Sequence, residues 1–196
     1  MNFIEITGQP CAGKSSFIEQ EVMIDRKICK YEHGFLTKML NFFVGIKYLG
    51  FKRSKVLLSW SLKESASLFF RINVFRNAVL KFGIFQNLKS STLEILPKYL
   101  VDEGLSHLPF LFLNSDTQQV VDFISDELKG VKVKCLKSPG GEAIQGRLTS
   151  RGHKRLKYFS VVCFADRNRE IEDILLSQYP NLCEELEIVE NVRNIQ

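Results

Sequence analysis

"ITGQPCAGKSSF", residues 6–17, decides the fold. Gly8, Gly13, Lys14 and Ser15 fit the spacing G-x-x-x-x-G-K-[ST]. Ahead of it, Phe3 to Thr7 alternates apolar and polar residues. Behind it, "SSFIEQEV" sets Phe17 and Ile18 against Glu19 and Glu21 at helical spacing. The patterns predict strand, glycine-rich turn, helix. In that setting the N–H groups of the turn converge on one point, and the helix N-terminus adds the positive end of its dipole; the pair binds phosphate. Gly8, Gln9, Pro10, Cys11, Ala12, Gly13, Lys14, Ser15 and Ser16 are therefore the candidate nucleotide-binding residues. Lys14 would span the β- and γ-phosphates, and the Ser15 hydroxyl would ligate Mg²⁺. Cys11 reads as a small inert side chain or, alternatively, as a redox-active thiol. The plain alternative for the whole stretch is an ordinary turn with a solvated lysine.

Working outward, "KYLVDEG" at 98–104 and "KVKCLKSP" at 132–139 read as strands, the second stopped by Ser138-Pro139-Gly140. "GEAIQGRLTSRG" reads as a helix with Gly152 as its stop. "KYFSVVCFADRNREIEDILLSQYP" supplies a further helix or two up to Pro180, and "ELEIVEN" at 185–191 a last strand. Strands alternating with helices imply an α/β fold with a mostly parallel sheet covered on both faces. Residues 35–86 read as mostly helical, with Ser54 as a cap for the second block. The apolar residues there are too numerous for a one-faced stripe, so the helices are expected to lie buried between neighbours or over a pocket.

At 196 residues the chain is most simply one domain with an insertion, and 45% apolar content with 16 Phe supplies a core. A formal charge of +5 suits an anionic ligand but is too small and too spread out to argue for nucleic acid. The longest apolar run, "LPFLFL", falls well short of the ~20 residues of a membrane span. Five cysteines without C-x-x-C spacing, behind an N-terminus lacking a signal-like segment, predict a reducing, cytoplasmic setting.

A bound triphosphate needs acids and cations near it. Ligands collect at the carboxyl ends of parallel strands, where Asp102 and Glu103 close the apolar run "YLV". Asp102 is the candidate metal-linked acid or general base, and Glu103 would share that work or hold substrate. Arg147 and Arg151, four residues apart, would share a helix face and reach one phosphate chain. His153, Lys154 and Arg155 extend that basic cluster.

"GQPCAGKS", "LVDEG" and "KCLKSPGGEAIQGRLTSRGHKR" together resemble the nucleoside and nucleotide kinase branch of the P-loop kinases. The likeness covers residues 1 to about 30 and 93 to 196. It implies a three-layer fold with about five strands, a helical substrate insertion at about 35–92, an arginine-bearing lid at about 140–158, and use of ATP with Mg²⁺. It further implies that Lys14, Asp102, Glu103, Arg147 and Arg151 carry catalysis and that a loop after the last strand packs on adenine. The block at 35–92 matches no substrate motif, so the acceptor is not carried over; Arg71, Arg76 and His107 are candidate contacts for it. A GTPase is disfavoured because "LNSDTQ" at 113–118 lacks the lysine of a guanine motif. Two alternatives stay open: a nucleotide-dependent switch or binding module, for which the apolar helices would form a partner or oligomer surface, and a polynucleotide 5′-kinase, which would want a basic groove with interleaved aromatics.

Overall fold

The computed structural model describes residues 3–32, 34–64, 67–90 and 98–190. Five strands form one sheet: β1 (Phe3–Gly8), β2 (Ile28–Lys30), β3 (Lys98–Asp102), β4 (Lys132–Lys137) and β5 (Glu185–Glu190). Their order across the sheet is β2-β3-β1-β4-β5, and every pairing is parallel. β1, which leads into the glycine loop, thus sits at the centre. Ligand-facing loops gather beyond its carboxyl end.

Alternation along the strands divides the core in two. Ile4, Ile6, Leu100 and Leu136 turn to one face, where helix α1 (Lys14–Ile24) covers them with Ile18 and Phe17. Phe3, Val101 and Val133 turn to the other. That second core is completed by α2 (Phe35–Lys63), α3 (Leu68–Ser90), α4 (Thr117–Leu128), α5 (Gly141–Arg151) and α6 (Val161–Leu182). The structure is therefore α/β with a five-stranded parallel sheet and helices on both faces.

Several boundaries differ from the sequence reading. β3 ends at Asp102, because Glu103 adopts φ 56° and the chain leaves the sheet there, whereas β4 ends at Lys137, at the stop read from Ser138-Pro139-Gly140. Ser54 caps nothing; it lies inside α2, and the irregularity falls at Gly50, whose φ of 63° and ψ of −177° kink the helix. Residues 161–182 form one helix, capped by the Ser160 hydroxyl and carrying Pro180 in its final turn. Gly152 does end α5, at φ 60°. Two elements were missed. β2 has only three residues, too few to show a period. In α4 the stretch "NSDTQ", weighed for a base-recognition motif, instead starts a helix: Asp116 accepts from the N–H groups of Gln118 and Gln119, an N-cap. The expected adenine loop, after residue 190, lies outside the described residues.

Of the two expectations for the apolar insertion, burial between neighbours holds only in part, whereas a position over a pocket holds for α3, whose Asn77, Leu80, Lys81 and Ile84 line a cavity. α2 and α3 pack tightly on each other: a Cβ on Gly83 would lie 1.7 Å from the Asn41 carbonyl oxygen, so only glycine permits the approach. Leu57, Trp60, Val79 and Phe82 are buried, yet Phe35, Leu40, Phe43, Phe51 and Phe69 stand exposed. A helix pair leaning on one side of a sheet covers only its inner stripe, and these sequences are apolar on both.

Candidate functional site

Gly8 is the last residue of β1, paired with Leu136, and a Cβ there would sit 2.5 Å from the Leu136 carbonyl oxygen. With φ values of 137°, 65° and 100° at Gly8, Cys11 and Gly13, the loop doubles back and delivers Lys14 into the first turn of α1. No side chain caps that helix and its first turn holds no acid, so its positive end meets no counter-charge from its own first turn. The Lys14 ammonium is buried at the base of the loop. It donates to the carbonyls of Gly8 (3.0 Å) and Gln9 (2.9 Å) and pairs with Glu103 Oε1 at 3.2 Å.

Opposite stands the end of β3. Ile6 pairs with Asp102, which sets the two acids one strand away from the loop. Asp102 Oδ1 is buried without a hydrogen-bond partner among the described residues. Burial, and then the charge of Glu103, push the Asp102 carboxyl above its ordinary value despite Lys14 and Lys81. Glu103 behaves oppositely. Burial raises it, but contact with His107 and the charges of Lys14 and Lys81 lower it by more, and it stays well below the usual carboxylate range. Two adjacent acids are thus pushed apart, one toward taking a proton and one held ionised.

The segment after β3 is anchored from beneath. Glu5, buried in β1, accepts from the N–H groups of Leu105 (3.0 Å) and Ser106 (2.7 Å), fixing the start of the 3₁₀ turn Leu105–Phe110. Burial pushes Glu5 up even so. Tyr179 from α6 donates to the Ser106 carbonyl at 2.6 Å. This turn brings His107 Nε2 to 3.4 Å from Glu103 Oε1. Burial keeps the imidazole well below its ordinary value against the pull of Glu103.

A cavity of about 780 Å³ joins these pieces. Its wall includes Lys14, Ser15, Asp102, Glu103 and His107, closed on the far side by Arg151 to Arg155 and on a third by Asn77, Leu80 and Lys81 of α3. Arg147 reaches the loop itself, donating to the Cys11 carbonyl at 3.4 Å. Arg155 is taken by the fold, its guanidinium donating to the carbonyls of Phe110 (2.8 Å) and Leu111 (3.1 Å). The sequence-derived set therefore largely converges, with two exceptions. Arg71 donates to the Glu64 carbonyl at 3.0 Å and lines neither large cavity. Arg76 lies in a second space of about 590 Å³ between α2 and α3, lined by Phe35, Met39, Phe42 and Phe43, which meets the first at Asn77 and Leu80.

Sequence reasoning missed Lys81, whose ammonium donates to the Glu103 carbonyl; its signal was a lone lysine inside the apolar run "AVLKFGIF". It also missed Glu5, a polar position in an alternating strand whose six residues are all buried. A third is Glu172, which binds Gln9 Nε2 at 3.1 Å and the Ser138 hydroxyl at 3.0 Å, tying the loop to the end of β4.

Asp102 and Ser15 fit a Mg²⁺ ion: one unpartnered carboxylate oxygen and one hydroxyl suit a metal that takes its remaining ligands from phosphate and water. Among the described residues no cluster of three or more His, Cys, Asp or Glu would cage a metal by itself. None of their helices is long and apolar enough to cross a membrane. Neither a comparison with protein-family models nor one with curated proteins gives a match to this chain.

Proposed function

We propose that this chain is a P-loop kinase that moves the γ-phosphoryl group of Mg-ATP to a hydroxyl or phosphate of a small-molecule acceptor. One observation carries the reading: the glycine loop with Lys14, the Asp102–Glu103 pair and Arg151 line a single cavity at the carboxyl edge of the sheet. In this reading the loop and the open end of α1 hold the triphosphate. Ser15 and Asp102 would hold the metal, which would supply positive charge to the phosphate chain. Lys14 exchanges its carbonyl contacts for phosphate oxygens, while Glu103 keeps the ammonium oriented. Asp102 serves as the metal-linked acid or as the general base for the acceptor's proton, and burial, which raises its carboxyl, favours the second role. Arg151, with Arg147 beside it, offers cations from the 140–158 segment to the transferring group, as a lid would. The 35–92 insertion would supply the acceptor side through Asn77 and Leu80, with His107 of the turn after β3 on the same cavity wall.

The test is Mg-ATP consumption by purified protein across nucleosides, nucleotides, sugars and sugar phosphates, with Lys14→Ala as the blank. The expected result is one acceptor class that raises turnover and gains the mass of one phosphoryl group. Flat, acceptor-independent turnover with tight nucleotide binding would replace this reading by a nucleotide-dependent switch. The exposed apolar side chains of α2 and α3 are the observation favouring that second reading.

A further inference from the structure

The α2–α3 pair carries a charge pattern unlike the rest of the chain. Residues 35–63 and 68–90 hold ten of the 27 Lys and Arg and none of the 22 Asp and Glu. Everything else is left with more acids than bases. Three of the ten are used internally: Arg53 pairs with the buried Glu127, Arg71 holds the Glu64 carbonyl, and Lys81 faces Glu103. Lys38, Lys47, Lys52, Lys55, Lys63, Arg76 and Lys89 are exposed, and among the described residues no carboxylate lies within ion-pair distance of them.

Between these cations the apolar side chains point outward. Leu36, Leu40 and Phe43 follow one helical stripe, with Lys47 next along it. Beyond the kink Phe51, Leu58 and Leu62 follow another, with Lys55 among them, and α3 adds Phe69 and Ile72. Phe51 is 84% exposed and Phe69 76%. Apolar exposure on this scale marks a contact surface. A second copy of the chain would oppose lysine with lysine. Protein interfaces deplete Lys and draw their energy mainly from Trp, Tyr and Arg with Leu under-represented, whereas this face is rich in Lys and Leu. Long lysine stems that lie along apolar neighbours while the ammonium reaches phosphate suit a lipid interface.

We propose that the outward face of the α2–α3 hairpin docks on an anionic lipid surface. Phe and Leu side chains enter the headgroup boundary and the lysines meet lipid phosphate and carboxylate, without any segment crossing the bilayer. This stands independently of the kinase reading.

The experiment is flotation of the full chain with vesicles of phosphatidylcholine alone and with about 30 mol% phosphatidylserine, at low and physiological salt. The protein should float with the anionic vesicles only, and less as salt rises. Lys52→Glu with Lys55→Glu should weaken flotation by at least about 25-fold, some fivefold per cation lost. Phe51→Ser with Leu58→Ser should abolish it with circular dichroism unchanged. None of these four residues lines either large cavity, so ATP consumption without lipid should be unaffected. Equal flotation with both vesicles, no flotation, or an apolar variant that floats like the parent would overturn the proposal. So would a dimer in sedimentation that these substitutions dissociate while flotation is absent; that result assigns the face to a second copy.

Discussion

The carboxyl edge of the sheet and the α2–α3 hairpin are built on opposite terms. At the edge nearly every charge has an assigned neighbour: Lys14 with Glu103, Lys81 with the Glu103 carbonyl, Glu5 with two N–H groups, Glu172 with Gln9 and Ser138. Exceptions such as Asp102 Oδ1 stand out against that background. On the hairpin, cations and aromatic rings face outward with no acid in either helix. Buried polar groups are costly unless paired, so an edge this crowded specifies one geometry. An apolar helix face constrains little beyond being covered, and here half of it is uncovered within the chain. On the two proposals, the first region is organised for chemistry and the second for contact.

Substitutions sharpen that contrast. The largest effect is expected at Asp102→Asn, which should lower phosphoryl transfer on the order of 1,000-fold while leaving nucleotide binding largely intact, since it removes the proton acceptor and not the cradle; normal turnover would show the acid assigned wrongly. Next, Gly83→Ala forces a methyl into the Asn41 carbonyl and should cost about 3 kcal/mol in chemical denaturation, a loss of stability that the hairpin's inner stripe would feel and the edge would not. Unchanged stability would mean that the helix pair packs more loosely than its glycines imply. Arg151→Ala should slow transfer roughly 10-fold more than it weakens ADP binding, because its contact strengthens in the transition state. Equal losses would remove it from the transferring group.

A smaller effect concerns pH. His107 is buried with its folded value well below 6.5, so its neutral form is the one that folds. The stability this contributes is fully present above about pH 6.5 and is lost as pH falls from there toward the folded value. His107→Gln should therefore gain on the parent protein by about 1 kcal/mol for each pH unit of that window. A constant gap between the two would show His107 titrating as an exposed histidine. Last, Phe51→Ser should change stability by less than about 0.5 kcal/mol, the value for an uncovered surface residue; a larger loss would mean the ring is buried in a partner or packed differently.

The glycine loop, four of the five strands and the acid and arginine positions were legible because local patterns dictate them: a fixed spacing, apolar runs, a stop at Gly152. Lys81, Glu5 and Glu172 were not, because each gains its role from a residue far along the chain. Glu5 meets Leu105, and Glu172 meets Gln9, only once the sheet has formed. β2 escaped for want of length. The hairpin's composition was plain and left burial or a position over a pocket open, because whether an apolar face is covered depends on what lies opposite.

Whether the loop at 8–15 takes the phosphates of a nucleotide is decided by titration calorimetry with ATP. Saturable binding strengthened by Mg²⁺ is expected, reduced on the order of 100-fold by Lys14→Ala, with Mg²⁺ dependence weakened by Asp102→Asn. Absence of binding to ATP, ADP and GTP by a protein whose circular dichroism shows it folded would contradict it.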